Sequence, residues 1–358
     1  MYRLTSIIQN DIALNLISEI SFKPSGTLFA VSHSLTSELV VFDAHTRTVL
    51  RVYKNPDAGL DIPHGVLLTD KHIVVSNTYG FTRPSTFAIY SLSDPSDKPV
   101  SVYETPYPHL REAHSLALRN GILVATYCES AKGPGAVVSY RFDDEAGLIG
   151  GPIALREACF TPYGEPKGVA FSGDGAEVFV TYTTQKRMTG VPKYVRRVKA
   201  ARKVWQESGV VACVKDIYAK LMARFHSTRA PDPQLNNGIA VFAITPTGIL
   251  SEKPVRVLER DKFCRLENIA LVGNTVVLSD TINGTVYLHD LATDPRLETP
   301  VHAVTESLAL PHGAKLSPDQ TTLVVTNYGL KVENQVIHWK TPALSTKNSV
   351  LIYDWQPA

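Results

Sequence analysis

Two stretches far apart in the chain are written almost alike. Near the N-terminus stands Ile62-Pro63-His64-Gly65-Val66-Leu67-Leu68, followed by Ile73-Val74-Val75-Ser76-Asn77-Thr78-Tyr79-Gly80. Near the C-terminus stands Leu310-Pro311-His312-Gly313-Ala314-Lys315-Leu316, followed by Leu323-Val324-Val325-Thr326-Asn327-Tyr328-Gly329. A phrase recurring with a period of roughly 40 to 50 residues and no helical periodicity restricts the chain to a propeller or solenoid before any other fold.

Taken as a template, the phrase has further matches opening at Ser18-Glu19-Ile20, Ala113-His114-Ser115, Pro166-Lys167-Gly168 and Glu267-Asn268-Ile269. Each is followed by short runs rich in Val, Ile and Tyr, separated by Gly, Pro and Asp turns, which are strand signals. Six units of four strands predict an all-β fold, a six-bladed β-propeller forming one domain over residues 1–358. The sixth unit ends in Val350-Leu351-Ile352-Tyr353-Asp354 and lacks a fourth strand, which Tyr2-Arg3-Leu4-Thr5-Ser6-Ile7-Ile8 can supply. The N- and C-terminal strands then close the last blade, removing exposed strand edges.

Two of the loops joining second to third strands are enlarged, over residues 183–237 in blade four and 327–347 in blade six. Both belong to the face where the first strands begin. Val210, Val214, Ile217, Leu221 and Phe225 recur at three- and four-residue steps, predicting an amphipathic helix and thus a helical lid over that face. Between Lys186 and Arg229 stand twelve Lys and Arg against only Glu207 and Asp216; of 36 basic and 34 acidic residues, this leaves 24 and 32 elsewhere. Charge so concentrated speaks of partners. As a gate, the basic lid would draw in an anionic small-molecule substrate; a plain cap with solvated charges, or contact with an anionic membrane, are the other uses. Nucleic acid is not expected, because aromatics are not interleaved with the charges.

With 44% apolar and 20% charged residues the composition is that of a soluble globular protein. Cys128, Cys159, Cys213 and Cys264 form no C-x-x-C pair, and no long apolar segment opens the chain, so a cytoplasmic protein is expected. No Walker loop, dinucleotide fingerprint, G-x-S-x-G elbow or H-E-x-x-H occurs, which argues against a nucleotide cofactor and the commonest hydrolase chemistries.

Aligned at the first strands, the units place Glu19, His64, His114, Lys167, Asn268 and His312 around the central channel. His312, Glu19, His64 and His114 come from consecutive blades and form an arc. Neutral imidazoles with a carboxylate are ligands for a divalent metal such as zinc, iron or manganese. Lys167 would bind an anion or stabilise developing negative charge, and Asn268 would orient substrate. Gly65 and Gly313 would keep room beside the histidines. The second strands end in Asn77, Tyr127, Glu129, Tyr182, Asp280 and Asn327, on the same face; Asp280 and Glu129 are acid–base candidates or turn caps, and Glu165 and Glu267 adjoin ring positions and could replace a neighbour in a shifted register.

Pro63-His64-Gly65-Val66 and Pro311-His312-Gly313-Ala314, with Ser317-Pro318-Asp319, resemble the repeats of lactonase-type propellers. Glu19 and Leu278-Ser279-Asp280-Thr281 resemble the senescence-marker/gluconolactonase family, whose resemblance implies six blades holding a divalent metal, calcium included, through Glu, Asn and Asp. The histidines depart from that pattern and are more like the zinc site of peptidyl-amidating lyase propellers. The expectation is a metal-assisted enzyme acting on a small ester, lactone or hydroxylated substrate. Alternatives are a lyase or isomerase at the same His/Glu centre, and a non-catalytic propeller that binds a protein or ligand on its top face.

Overall fold

The computed structural model describes residues 1–9, 17–54, 58–79, 83–130, 133–183, 237–259, 263–333, 336–342 and 348–357. The strands form six four-stranded antiparallel sheets and one two-stranded hairpin. The first strands, innermost in each blade, are Ile17–Phe22, Pro63–Leu68, Arg111–Arg119, Glu165–Phe171, Leu266–Val272 and Pro311–Leu316. In five blades the next three strands follow in chain order. In the sixth, Tyr2–Gln9 pairs antiparallel with Ser349–Trp355 as the outermost strand, and the Met1 amino group donates to the Gln356 carbonyl at 2.7 Å. The predicted six blades and terminal closure are therefore present.

Alternation along the middle strands drives blade-on-blade packing, because successive side chains point to opposite faces. Val74, Phe87 and Ile89 of blade two meet Leu123, Ala125 and Tyr140 of blade three. On the opposite face of the same blade-three strands, Val124 and Val137 meet Val178, Val180 and Phe242 of blade four. Each inner sheet is thus apolar on both faces.

Every first strand carries a bulge in which two residues oppose one on the second strand. The pairs are Ser18/Glu19, His64/Gly65, His114/Ser115, Lys167/Gly168, Glu267/Asn268 and His312/Gly313. Opposite them stand only hydroxyl residues: Ser32, Ser76, Thr126, Thr181, Ser279 and Thr326. Five of these hydroxyls accept the N–H of their own bulge, from Glu19, Gly65, Ser115, Gly168 and Gly313. Five also donate to a backbone carbonyl of the next blade, as Thr326 does to Ser18 and Ser76 to Ala113, both at 2.7 Å. A hydroxyl has both a donor and acceptor sites, so one side chain satisfies its own bulge and latches the neighbouring blade.

Among the described residues there is no α-helix, and a 3₁₀ turn spans Ala158–Phe160. The helix expected within 183–237 lies outside the described residues. The loop is attached where it was expected, between Thr183 and Asn237, which pair at the ends of the second and third strands. In blade six the corresponding insertion contains the hairpin Leu330–Glu333 and Val336–Pro342. No described helix is long and apolar enough to cross a membrane.

Candidate metal centre

The first residue of each bulge pair faces the channel, so the ring consists of Ser18, His64, His114, Lys167, Glu267 and His312. Alignment by sequence alone placed Glu19 and Asn268 in it; the bulge register instead puts Ser18 and Glu267 level with the histidines. The small Ser18 lets His312 and His64, from the blades on either side of it, approach with ring centroids 5.1 Å apart. His64 and His114 are closer still, at 4.0 Å. One ligand nitrogen from each of the three rings lies within 4.8 Å of the others.

Their hydrogen bonds fix the tautomers. His64 Nδ1 lies 2.8 Å from the His114 carbonyl and His312 Nδ1 3.3 Å from that of Ser18; carbonyls only accept, so each Nδ1 carries the proton and each Nε2 keeps a lone pair. His114 Nε2 lies 3.2 Å from Glu267 Oε2, leaving Nδ1 as a buried nitrogen without a hydrogen-bond partner among the described residues. Burial holds His312 down to about 4 and His114 to about 3, despite Glu267, and His64 well below the usual range. All three are neutral near pH 7.

Glu267 is the carboxylate of this centre, 3.8 Å from His312 Nε2 as well as 3.2 Å from His114. Burial would raise its pKa, but Arg265, Lys167 and the His114 hydrogen bond outweigh burial and keep it ionised. Arg265 Nε donates to its other oxygen. Lys167 lies 3.3 Å from Glu165 and 3.4 Å from the Cys128 sulfur; burial lowers its pKa, yet Cys128 and the surrounding carboxylates hold it above the ordinary lysine range.

Glu19 occupies a different layer. Asn268 Nδ2 donates to both of its oxygens, at 2.8 and 2.7 Å, and burial raises it to about 7 against the pull of Lys315. It is not among the groups converging with the three histidines. Gly65, Gly168 and Gly313 fill this second bulge position in their blades. The space there is closed by the neighbouring blade: a Cβ on Gly65 would stand 3.1 Å from the His114 carbonyl and one on Gly313 2.8 Å from that of Ser18.

The residues at the ends of the second strands fasten loops. Asn77 accepts from the Asp61 amide and donates to the Gly59 carbonyl; Asn327 accepts from Ala309 and donates to Ser307. Asp280 takes the amides of Cys264 and Arg265, both at 3.0 Å, while burial pushes its carboxyl up. All three thus brace the loop entering their own first strand. The Tyr127 and Tyr182 phenols are in the blade cores, bonded to Tyr140 and Glu259 at 2.7 Å. Glu129 pairs through its backbone with Arg111 at the rim. The signal that would have fixed the ring from sequence is the hydroxyl near each second-strand end.

No protein-family description matches the chain, and no curated protein matches it in sequence. Among solved structures, the fold is similar to that of a luciferin-regenerating enzyme, at 9% identity over 97% of this chain and 94% of that one, with TM-score 0.58. It is also similar to regucalcin from Agrobacterium tumefaciens, a calcium-binding protein (10% identity, 98% and 93% covered, TM-score 0.57). The β-propeller domain of Cps50 (Swd1) from Myceliophteria thermophila matches over 99% of this chain and all of that one (10% identity, TM-score 0.52). At such identities the likeness is one of fold.

Proposed function

We propose that the protein is a metal-dependent enzyme acting on a small ester, lactone or hydroxylated substrate at the channel mouth, with His64, His114 and His312 holding one divalent ion. The observation that carries this reading is the set of three buried neutral imidazoles, each with one nitrogen engaged and one lone pair left. That pattern, with His114 oriented by a carboxylate, is what a histidine-bound metal requires of its ligands and their supports. The donor set suits zinc, iron or manganese; calcium takes six to eight oxygens and fits these rings poorly. When bound, such an ion polarises a carbonyl and lowers the pKa of water.

The chain's own groups divide the remaining work. Glu267 orients His114 and sets negative charge behind it. Lys167 and Arg265, across from the histidines, favour an anionic substrate group or charge developing on its oxygen. The likeness in fold to a luciferin-regenerating enzyme and to a calcium-binding protein, regucalcin, is compatible with an enzymatic, metal-binding propeller and does not choose the substrate.

The test is metal analysis of the purified chain followed by reloading after chelation. About one transition-metal ion per chain is expected, with turnover of a lactone or ester panel that depends on it, and loss of both in His64→Ala. Trace metal, unchanged in His64→Ala, would sink the reading.

A further inference from the structure

We propose that Ile62, Glu112 and Leu310 are positioning residues for the three-histidine centre, their left-handed backbone turning the side chain two positions before each histidine, apolar or acidic, away from the imidazole. This rests on the metal reading above. The three residues stand two positions before His64, His114 and His312, and their φ angles are 50°, 53° and 58°. Positive φ is uncommon outside glycine, and for a β-branched residue such as Ile62 it is an outlier.

The other blades show what an ordinary backbone does at the same place. In an extended strand, residues i and i+2 share a face. Glu165 and Arg265, two positions before Lys167 and Glu267, are not among the left-handed residues, and each pairs with the ring residue that follows it. The residue two before Ser18 lies outside the described residues. In the histidine blades the left-handed turn breaks that alternation. His64 and His312 then bond the backbone of other blades, and His114 meets Glu267 from blade five. Glu112 is the telling case: a carboxylate two residues before a histidine would pair with it in an extended strand, as Glu165 pairs with Lys167.

The strained backbone is held by its surroundings, as such conformations require. The Ile62 amide donates to Ser37 Oγ at 3.2 Å, and its carbonyl accepts from the Thr78 amide and hydroxyl at 3.1 and 2.9 Å. The Leu310 carbonyl accepts from the Tyr328 amide at 3.2 Å.

The experiment is cobalt(II) titration of the full chain, followed by visible absorption. Glycine tolerates the left-handed conformation, so Ile62→Gly and Leu310→Gly should keep wild-type affinity and spectrum. Proline fixes φ near −65°, so Ile62→Pro and Leu310→Pro should bind cobalt about 10- to 100-fold more weakly, as loss of a ligand's support does, with an altered spectrum. Ser37→Ala controls for the hydrogen bond that proline removes at position 62. Folded proline variants with wild-type affinity and spectrum overturn the proposal. If they do not fold, Glu112→Pro compared with Glu112→Gly, at the third left-handed position, takes their place: weaker binding by the proline variant supports positioning and equal binding overturns it. A wild-type chain that binds no cobalt defeats the metal centre itself and shows as such.

Discussion

On the side of the channel formed by blades six, two and three, the buried groups are neutral imidazoles bonded mostly to backbone carbonyls. On the side formed by blades four and five they are ions bonded to ions, Lys167 with Glu165 and Arg265 with Glu267. The scaffold beneath is the same bulge and hydroxyl in every blade. A shared backbone device thus supports two solutions to burying polar groups: neutralise them by desolvation, or pair them. The neutral side keeps lone pairs available for a ligand, while the ionic side spends its charges internally and sets the local field.

The largest difference should appear on breaking each side. Glu267→Gln removes the carboxylate that Arg265 bonds and that lies nearest the buried His114, and should destabilise the fold by about 3 kcal/mol, whereas His312→Gln should cost only about 1 kcal/mol; urea unfolding of chelated protein checks both. Equal costs would erase the distinction.

A second test uses pH. His114 and His312 have folded pKa values below the ordinary one, so their stabilisation is full above about pH 6.5 and is lost as pH falls towards 4, by about 1.4 kcal/mol per pH unit for each. Glu19 has the opposite sign: raised to about 7, it contributes below the ordinary carboxylate range and loses that contribution as pH rises through 7. Glu19→Gln should therefore stabilise by up to about 3 kcal/mol at pH 8 and make no difference near pH 4. A pH-independent effect would mean that the carboxyl is not held protonated.

The smallest effect should be the one common to both sides. Thr326→Val and Thr181→Val each remove a hydroxyl that satisfies a bulge amide, and each should cost about 1–3 kcal/mol. Thermal unfolding of the two variants in parallel would show whether the hydroxyl's bond to the bulge amide is indifferent to what the ring carries.

The six blades and their closure were legible because the alternation of apolar runs and turns repeats across the whole chain. The ring was legible where the second bulge residue is glycine, as after His64, Lys167 and His312, since only one polar candidate remains. In blades one and five both bulge residues are polar, Ser18 with Glu19 and Glu267 with Asn268, and a period-two pattern cannot say which faces the channel when two residues oppose one. Tyr127 and Tyr182 misled for a related reason: a phenol near a strand end reads as polar, yet most of its surface is ring, and packing places it in the core. The left-handed residues gave no signal at all, because Ile62 and Leu310 are unremarkable apolar residues in sequence.

The pairing of Tyr2–Gln9 with Ser349–Trp355 also makes the chain's order of assembly unusual. Tyr2–Gln9 is synthesised more than 300 residues before its partner Ser349–Trp355, so the ring cannot close until that partner has been made. Joining the adjacent ends and opening the chain in the turn after Asp143 would make all four strands of blade six contiguous. The pairing of Tyr2–Gln9 with Ser349–Trp355 would then form as a local hairpin, and the pairing of Ala136–Asp143 with Leu148–Arg156 would take over as the step that closes a loop of nearly the whole chain.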